Sequence, residues 1–270
     1  MKKHFLLLMG MAIAGILYAQ PKAIEGKAEF QKTQQPAAMI TVPYNSNTVE
    51  DAIADYMTKK GIKGGSTGGY KVYRNYKLAS SIDYNSDLYF KVDRKSRSEK
   101  DVSVISLLAA KTAEDIKTRK LNDSTGTQLE GAKELLDEMV PAIEAYSLEV
   151  QIRDQEAVVK KAQKKYDDLV NDQKDYEKKI RNLEDKLAQN KKDQVRQSDA
   201  IKSNINGDDK AMLKAQKRLR NLTDDEADYD KSMRSTIDKV EQSKRDQVRQ
   251  QEEIAKQQDI LNTLISKRKN

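Results

Sequence analysis

The residue types that carry most enzyme chemistry are nearly missing from this chain of 270 residues. Its one histidine is His4, close to the N-terminus, and it has no cysteine and no tryptophan. Beyond His4, the chain cannot assemble Ser-His-Asp or Cys-His nucleophilic arrangements, nor zinc, copper or haem sites with histidine or thiolate ligands. Paired carboxylates remain, so a carboxylate-dependent hydrolase stays the enzymatic alternative. We expect a protein that is not an enzyme and that binds no cofactor or metal.

A first candidate binding group combines aromatic and basic residues. Tyr70, Tyr73 and Tyr76 alternate with basic residues, among them Arg74, within a predicted strand. Such rings could stack on sugars, and the cations could contact anionic glycans. The alternative is that these tyrosines pack against one face of a sheet, as strand tyrosines usually do.

A second candidate is the most basic loop of the chain, with Arg94, Lys95, Arg97 and Lys100. These cations suit phosphate or carboxylate groups of a cell envelope, or an acidic partner. Asp93, Glu99 and Asp101 lie in the same loop and would neutralise part of its charge.

The first 19 residues have the pattern of a secretory signal peptide. Basic residues at the start precede an apolar run from Phe5 to Leu17, and Ala19-Gln20 is a plausible cleavage point. The run is shorter than the ~20 residues that a spanning helix needs, although an uncleaved anchor is the alternative. We expect an exported protein, periplasmic or secreted after cleavage near Ala19-Gln20, with no transmembrane segment in the mature chain.

Residues 37–110 predict a small α+β head in the order β-α-β-β-β. The strands are predicted at 37–42, 70–78, 88–92 and 102–108, and an amphipathic helix capped by Asn47 or Thr48 at 49–60. Residues 20–36 are polar and predict a flexible lead-in, and 111–130 predict a loop or linker. The glycine-rich segment 61–69 lacks the ending of a phosphate-binding loop, which favours a flexible connector.

Two heptad repeats of equal length dominate the rest of the chain. Their seam positions run from Leu148 to Ile201 and from Met212 to Leu264, and 21 of the 32 are apolar where the chain average of 37% would give about 12. The two repeats lie symmetrically on either side of residue 206, where Asn206-Gly207 favours a turn. The pattern predicts a long antiparallel α-helical coiled-coil hairpin with a first arm at 131–205, a turn at 206–209 and a second arm at 210–270.

Three features leave alternatives to this hairpin. The same seams could pair with other chains, which would make a homo-oligomer. Thr223 to Glu226 has the pattern of a capping box, so the second arm could break there. Several seam positions are glutamine or asparagine, which either set the register of the two helices or leave the helices only partly paired.

The net positive charge is concentrated in the N-terminal part of the mature chain. Residues 20–130 hold 18 basic and 14 acidic residues, whereas 131–270 hold 30 and 29. A nucleic-acid-binding rod would show a one-sided basic face. We therefore expect no nucleic acid as a partner, and instead a protein partner or an envelope component.

The stretches Val49–Gly61 and Asp87–Lys100 resemble uncharacterised secreted envelope proteins of Bacteroidota-type bacteria. The combination of a β-containing head and a long helical hairpin is also similar to Skp-like periplasmic chaperones, although here every predicted strand precedes the hairpin. These resemblances imply either a non-enzymatic scaffold of the bacterial envelope, with the head for recognition and the hairpin for reach or oligomerisation, or a holdase chaperone for outer-membrane clients.

Overall fold

The computed structural model of the chain describes residues 21–80, 85–111, 125–203 and 209–269, with the main chain alone for 125–127 and 269. The chain divides into two units, the head domain (Met1–Val150) and the helical domain (Gln151–Asn270). The predicted signal peptide, most of the predicted linker and the Asn206-Gly207 turn lie outside the described residues.

The described part of the head domain contains a six-stranded antiparallel sheet and helix α1, and it includes the start of a second helix, α2. The elements are β1 (Ile24–Phe30), β2 (Thr33–Val42), α1 (Ser46–Lys59), β3 (Gly64–Thr67), β4 (Tyr70–Tyr76), β5 (Ser86–Arg94), β6 (Ser103–Ala110) and α2 (Thr125–Ser203), and the strand order is β1-β2-β6-β5-β4-β3. The α+β class is confirmed, but the predicted β-α-β-β-β order lacked two strands.

Strand β1, the turn after it and the start of β2 occupy most of the predicted flexible lead-in. Strand β1 pairs with β2 across the two-residue turn Gln31-Lys32, whose φ angles of 50° and 63° lie in the left-handed region. Gln and Lys are not the usual residues of such a turn, so the sequence carries no hairpin signal there. The strand also looks polar because only Ala28 and Phe30 of it are buried.

Strand β3 lies inside the glycine-rich segment that was predicted to be a flexible connector. It pairs with β4 through a turn at Gly68-Gly69, both with positive φ angles, 56° and 82°. This conformation is typical of two-residue hairpin turns and is easily adopted by glycine. The connector prediction was wrong because it treated these glycines as a sign of flexibility rather than of a tight turn.

Two helices cover one face of the sheet. Helix α1 is capped by Asn45, whose side-chain oxygen accepts a hydrogen bond of 3.0 Å from the Thr48 backbone N–H, so the predicted caps Asn47 and Thr48 were two and three residues late. Helix α2 begins at Thr125, inside the predicted linker, and continues through Pro141. The core between the sheet and these helices is apolar. Its strand residues include Ile40, Leu88, Phe90, Ile105 and Leu107, and its helical residues include Ile53, Met57, Leu136 and Met139.

The opposite face of the sheet curls over its own aromatic core. Tyr70 on β4 and Phe30 on β1 are four strand spacings apart in the sheet order, which is ~19 Å in a flat sheet. Their ring centroids nevertheless lie 5.4 Å apart, and the Phe30 ring is 5.3 Å from that of Tyr89. The sheet is therefore strongly curved, and its concave side is filled by these three rings.

In the helical domain, the long helix α2 packs on helix α3 (Asp209–Lys269). Every residue that is buried in the described part of this domain occupies a position that the heptad pattern assigns to a seam. These residues are Ile152, Leu183, Leu187, Asn190, Ala215, Thr236, Val240, Ser243, Gln250 and Leu261. Four of the ten are polar, and two of these, Asn190 and Gln250, belong to the glutamine and asparagine seam positions noted in the sequence.

Helix α3 is unbroken at Thr223, where the capping-box pattern offered a break. The Thr223 hydroxyl donates a hydrogen bond of 3.1 Å to the carbonyl of Leu219, one turn back in the same helix. Glu226 instead accepts a hydrogen bond from Gln194. Both side chains are therefore engaged in ways that leave the helix continuous.

Candidate functional site

The predicted basic loop joins β5 to β6 and has a defined conformation. The Ser96 hydroxyl accepts a hydrogen bond of 3.2 Å from the Glu99 backbone N–H and donates one of 3.1 Å to the Glu99 carboxylate. The Lys95 backbone N–H donates a hydrogen bond of 3.0 Å to the carbonyl of Val102. The cations of this loop are thus held on a short ordered turn.

One of the four loop cations is neutralised within the loop. Lys95 Nζ lies 3.0 Å from Glu99 Oε1, and this contact holds the pKa of the Glu99 carboxyl below its usual value. Arg94, Arg97 and Lys100 are exposed and form no ion pair with a described residue. The loop therefore offers three available cations rather than four.

The structure does not leave the three candidate tyrosines available for ligands. Tyr70 and Tyr73 are 2% and 3% exposed, and Tyr76 is buried as well. Burial raises the pKa of Tyr70 to about 12. The hypothesis that these rings stack on sugars was wrong, because they fill the two faces of the sheet, as the alternative proposed. Arg74 is exposed on the same strand.

Sequence reasoning missed the surface around β3. All four residues of this strand are exposed, and among the described strands it pairs with β4 alone. A cleft of about 290 Å³ lies on the side of α1, where Glu50 and Lys71 are among its lining residues, and it reaches Asp93 at the end of β5. Two further grooves of about 300 and 320 Å³ run along β3 itself.

Basic residues predominate around β3. Lys63 and Arg74 are the charged residues of one groove along the strand, and Lys71 is the charged residue of the other. In the cleft, Asp93 is already paired with Lys91 at 3.0 Å. We call the edge of β3 with these two grooves the β3 edge surface. Its signal in the sequence is the pair Gly68-Gly69 just before Tyr70, from which a tight glycine turn could have been inferred.

Comparisons with known proteins found no match for this chain, whether among protein families, curated proteins or solved structures. In the part of the chain that the structure describes, no helix combines the length and the apolar character needed to cross a membrane.

Proposed function

We propose that this chain is a non-enzymatic, exported scaffold protein of the bacterial envelope. In this proposal the head domain recognises a protein partner or an envelope component. Helices α2 and α3 form an antiparallel coiled-coil hairpin that gives reach. With 61 residues, α3 spans ~90 Å at 1.5 Å per residue.

The observation that carries the proposal is an ordered series of side-chain hydrogen bonds between α2 and α3. Each is 2.7 Å long, and as the residue number rises in α2 it falls in α3. The pairs are Gln155 with Gln257, Gln173 with Gln247, and Gln194 with Glu226. Such a series is expected of two antiparallel helices in a fixed register.

The polar seam residues support the proposal that the helical domain is a spacer. Gln155, Gln173 and Gln194 each form a hydrogen bond with the other helix. These bonds offset the cost of removing the glutamine side chains from water, and they would be lost in any other register of the two helices. The helical segment from residue 131 onwards carries nearly equal numbers of basic and acidic residues. A rod of this kind has no net attraction for nucleic acid or for an anionic surface.

The exposed apolar residues of the helical domain do not favour the holdase alternative. Val158, Val195, Leu213, Ile237, Val248 and Ile260 are exposed, but they fall on three different heptad positions and form no continuous stripe along either helix. Isolated apolar side chains of this kind are ordinary on protein surfaces. Unfolded clients would need a contiguous apolar surface.

Site-specific crosslinking tests the hairpin. The chain has no native cysteine, so a Gln155→Cys, Gln257→Cys double variant treated with a short bis-maleimide should give an internally linked monomer on a denaturing gel. The matched control, Gln155→Cys with Leu222→Cys, should not link internally, because residues 155 and 222 lie far apart along the proposed rod. A linked dimer in place of the linked monomer would show pairing between chains.

Crosslinking in intact cells tests the scaffold role. A photoreactive residue at Arg97 in the head domain should capture a small, reproducible set of envelope proteins or glycans. The same residue at Lys164, exposed on α2, serves as the control and should capture far less. If the head position captured nothing and all products came from the helical domain, recognition by the head would be disproved.

A further inference from the structure

We propose that the β3 edge surface binds an extended, acidic segment of a protein partner, which adds to the sheet as a seventh strand. This inference rests on the proposed function, because it identifies where and how the head domain would recognise a partner. Addition of a strand to an exposed sheet edge is an established mode of peptide recognition.

The register of the β3–β4 hairpin fixes which groups of β3 face outwards. In a two-residue hairpin the flanking residues, here Thr67 and Tyr70, exchange both ladder hydrogen bonds, and hydrogen-bonded pairs then alternate with non-bonded ones. Gly65 and Val72 form the next bonded pair. The backbone N–H and C=O groups of Ser66 and Gly64 therefore point away from β4, toward the open edge.

The surroundings of this edge leave room for the side chains of an added strand. One groove adjoins Lys71 and Tyr73 on the face that α1 covers, and the other adjoins Val72 and Arg74 on the opposite face. Since successive side chains of a strand point to opposite faces, an added strand could place alternate residues in the two grooves. Gly64 keeps the edge narrow, because a Cβ there would come within 2.9 Å of the Tyr73 ring.

The charge of the grooves selects the kind of segment. Lys63, Lys71 and Arg74 form no ion pair with a described residue, and no carboxylate of the described residues lines either groove. An added strand with glutamate or aspartate on both faces would pair with these cations. A basic segment would meet like charge on both sides of the edge.

A second copy of this chain fits the surface less well. Pairing of two β3 edges would bring Lys63, Lys71 and Arg74 close to the same residues of the other copy, which repel one another. The edge of β1, the other end of the sheet, already has the Glu29 carbonyl occupied by the Tyr70 hydroxyl at 2.7 Å. A partner with acidic residues is therefore the occupant that we infer.

Peptide binding to the full mature chain tests this inference. The probe is a fluorescent seven-residue peptide, Glu-Glu-Val-Val-Glu-Glu-Val, which presents glutamate on both faces of an added strand, and a peptide with lysine in place of glutamate is its control. Fluorescence anisotropy should show binding of the glutamate peptide alone. Hydrogen exchange should show slower exchange at Gly64 and Ser66 when this peptide is bound.

Two substitutions at one position separate the backbone contribution from the side chain. Ser66→Pro removes an outward N–H that β4 does not use, so it should weaken peptide binding by about tenfold or more, whereas Ser66→Ala should change it by less than about twofold. Lys71→Glu with Arg74→Glu should abolish binding of the glutamate peptide and permit binding of the lysine peptide. Thermal unfolding of each variant verifies that the fold is retained.

Three results would overturn the inference. The first is equal affinity for the two peptides, and the second is unchanged binding to Ser66→Pro. The third is light scattering that shows a wild-type dimer which Ser66→Pro converts to a monomer, since a second copy would then occupy the edge. If instead the head captured discrete partners at Arg97 and Ser66→Pro left all of them unchanged, the strand-addition inference would fail while the proposed scaffold function would stand.

Discussion

The Tyr70 hydroxyl donates a hydrogen bond of 2.7 Å to the main-chain carbonyl of Glu29, which links β4 to the outer edge of β1. Glu29 lies opposite Gln34 in the β1–β2 hairpin. This is a non-bonded pair in the ladder that follows from the two-residue turn. Its carbonyl therefore points away from β2, toward the side of β1 where no described strand pairs, and the Tyr70 hydroxyl is its hydrogen-bond donor.

Loss of this hydroxyl should destabilise the head domain measurably. Tyr70→Phe keeps the ring but leaves the Glu29 carbonyl without its donor, so we expect a loss of about 1 kcal/mol in the free energy of unfolding. Urea denaturation monitored by tyrosine fluorescence and circular dichroism measures it. Tyr89→Phe in the same cluster is the control and should cost less than half as much. Equal effects of the two substitutions would contradict the role assigned to the Glu29 contact.

Glu138 should make the head domain less stable in acid. The Tyr56 hydroxyl (2.7 Å) and the Lys60 ammonium (3.0 Å) both donate to Glu138, and they lower the pKa of its carboxyl. A carboxyl whose pKa is lower in the folded chain stabilises the fold above its unfolded pKa, near 4.5, and this contribution is lost as the pH falls through the folded value.

Glu138→Gln should therefore lower stability at pH 7 and flatten its dependence on pH below about 5. Because this carboxylate is more than half exposed, we expect an effect of only about 0.5–1 kcal/mol. Melting temperatures between pH 3 and 7 measure it. Glu134→Gln, in the same helix, is the control, and parallel pH profiles for wild type and Glu138→Gln would refute the prediction.

The glutamine pair Gln173–Gln247 should trade stability for register. Replacing both residues by leucine removes a hydrogen-bonded polar pair from the seam and buries apolar surface instead. We expect a gain of about 1–3 kcal/mol for the helical domain. The same variant should lose fidelity of pairing, visible as oligomers in light scattering. A double variant that melted at a lower temperature than wild type would show that the pair stabilises more than apolar packing would.

Thr223→Ala distinguishes a continuous α3 from one that restarts. Since the hydroxyl binds the Leu219 carbonyl within the helix, its loss should leave stability unchanged or raise it by a few tenths of a kcal/mol. At a helix N-cap, the same substitution would cost about 1 kcal/mol. Thermal unfolding followed at 222 nm decides between the two, with Thr263→Ala as the matched control, because the Thr263 hydroxyl also binds back one turn.

Gly131→Ala should destabilise the head domain although it lies within a helix. Alanine favours helix over glycine by about 1 kcal/mol. At this position, however, a Cβ would overlap the Ser80 hydroxyl and approach the Leu78 side chain within 3.2 Å. We expect a net loss of about 1–2 kcal/mol in chemical denaturation, and partial recovery when Ser80→Ala is added. A gain in stability for the single variant would show that the Leu78–Ser80 segment moves aside freely.

The heptad positions could be predicted because their signal is local and repeated. Residues such as Leu183, Leu187 and Val240 recur at the spacing of a helical stripe, and the structure buries them in the helical domain. A helix records its buried side in its own sequence. The pairing of a strand depends instead on neighbours that are distant in the chain.

The edge strands and the candidate surface show the limits of this reasoning. β1 and β3 are short of apolar residues because they lie at the edges of the sheet, so neither matched a strand pattern. The basic loop was identified, and it is exposed, but the internal pairing of Lys95 with Glu99 required the fold of the turn. The three tyrosines were correctly predicted to lie in a strand. That they are buried on both faces of the sheet could not be predicted, because the burial of Tyr70 depends on the curvature of the sheet.

The position of β1 has a consequence for the local stability of the head domain. Among the described residues, this strand has ladder bonds with β2 alone, and it is also held by the buried Ala28 and Phe30 side chains and by the Tyr70 hydrogen bond. Release of Phe30 would detach the strand as a unit, wet the aromatic cluster and expose the free edge of β2. Amide exchange along β1 should therefore report a partial opening at a lower free energy than global unfolding. The segment that closes the curve of the sheet would thus also be where the head domain first comes apart.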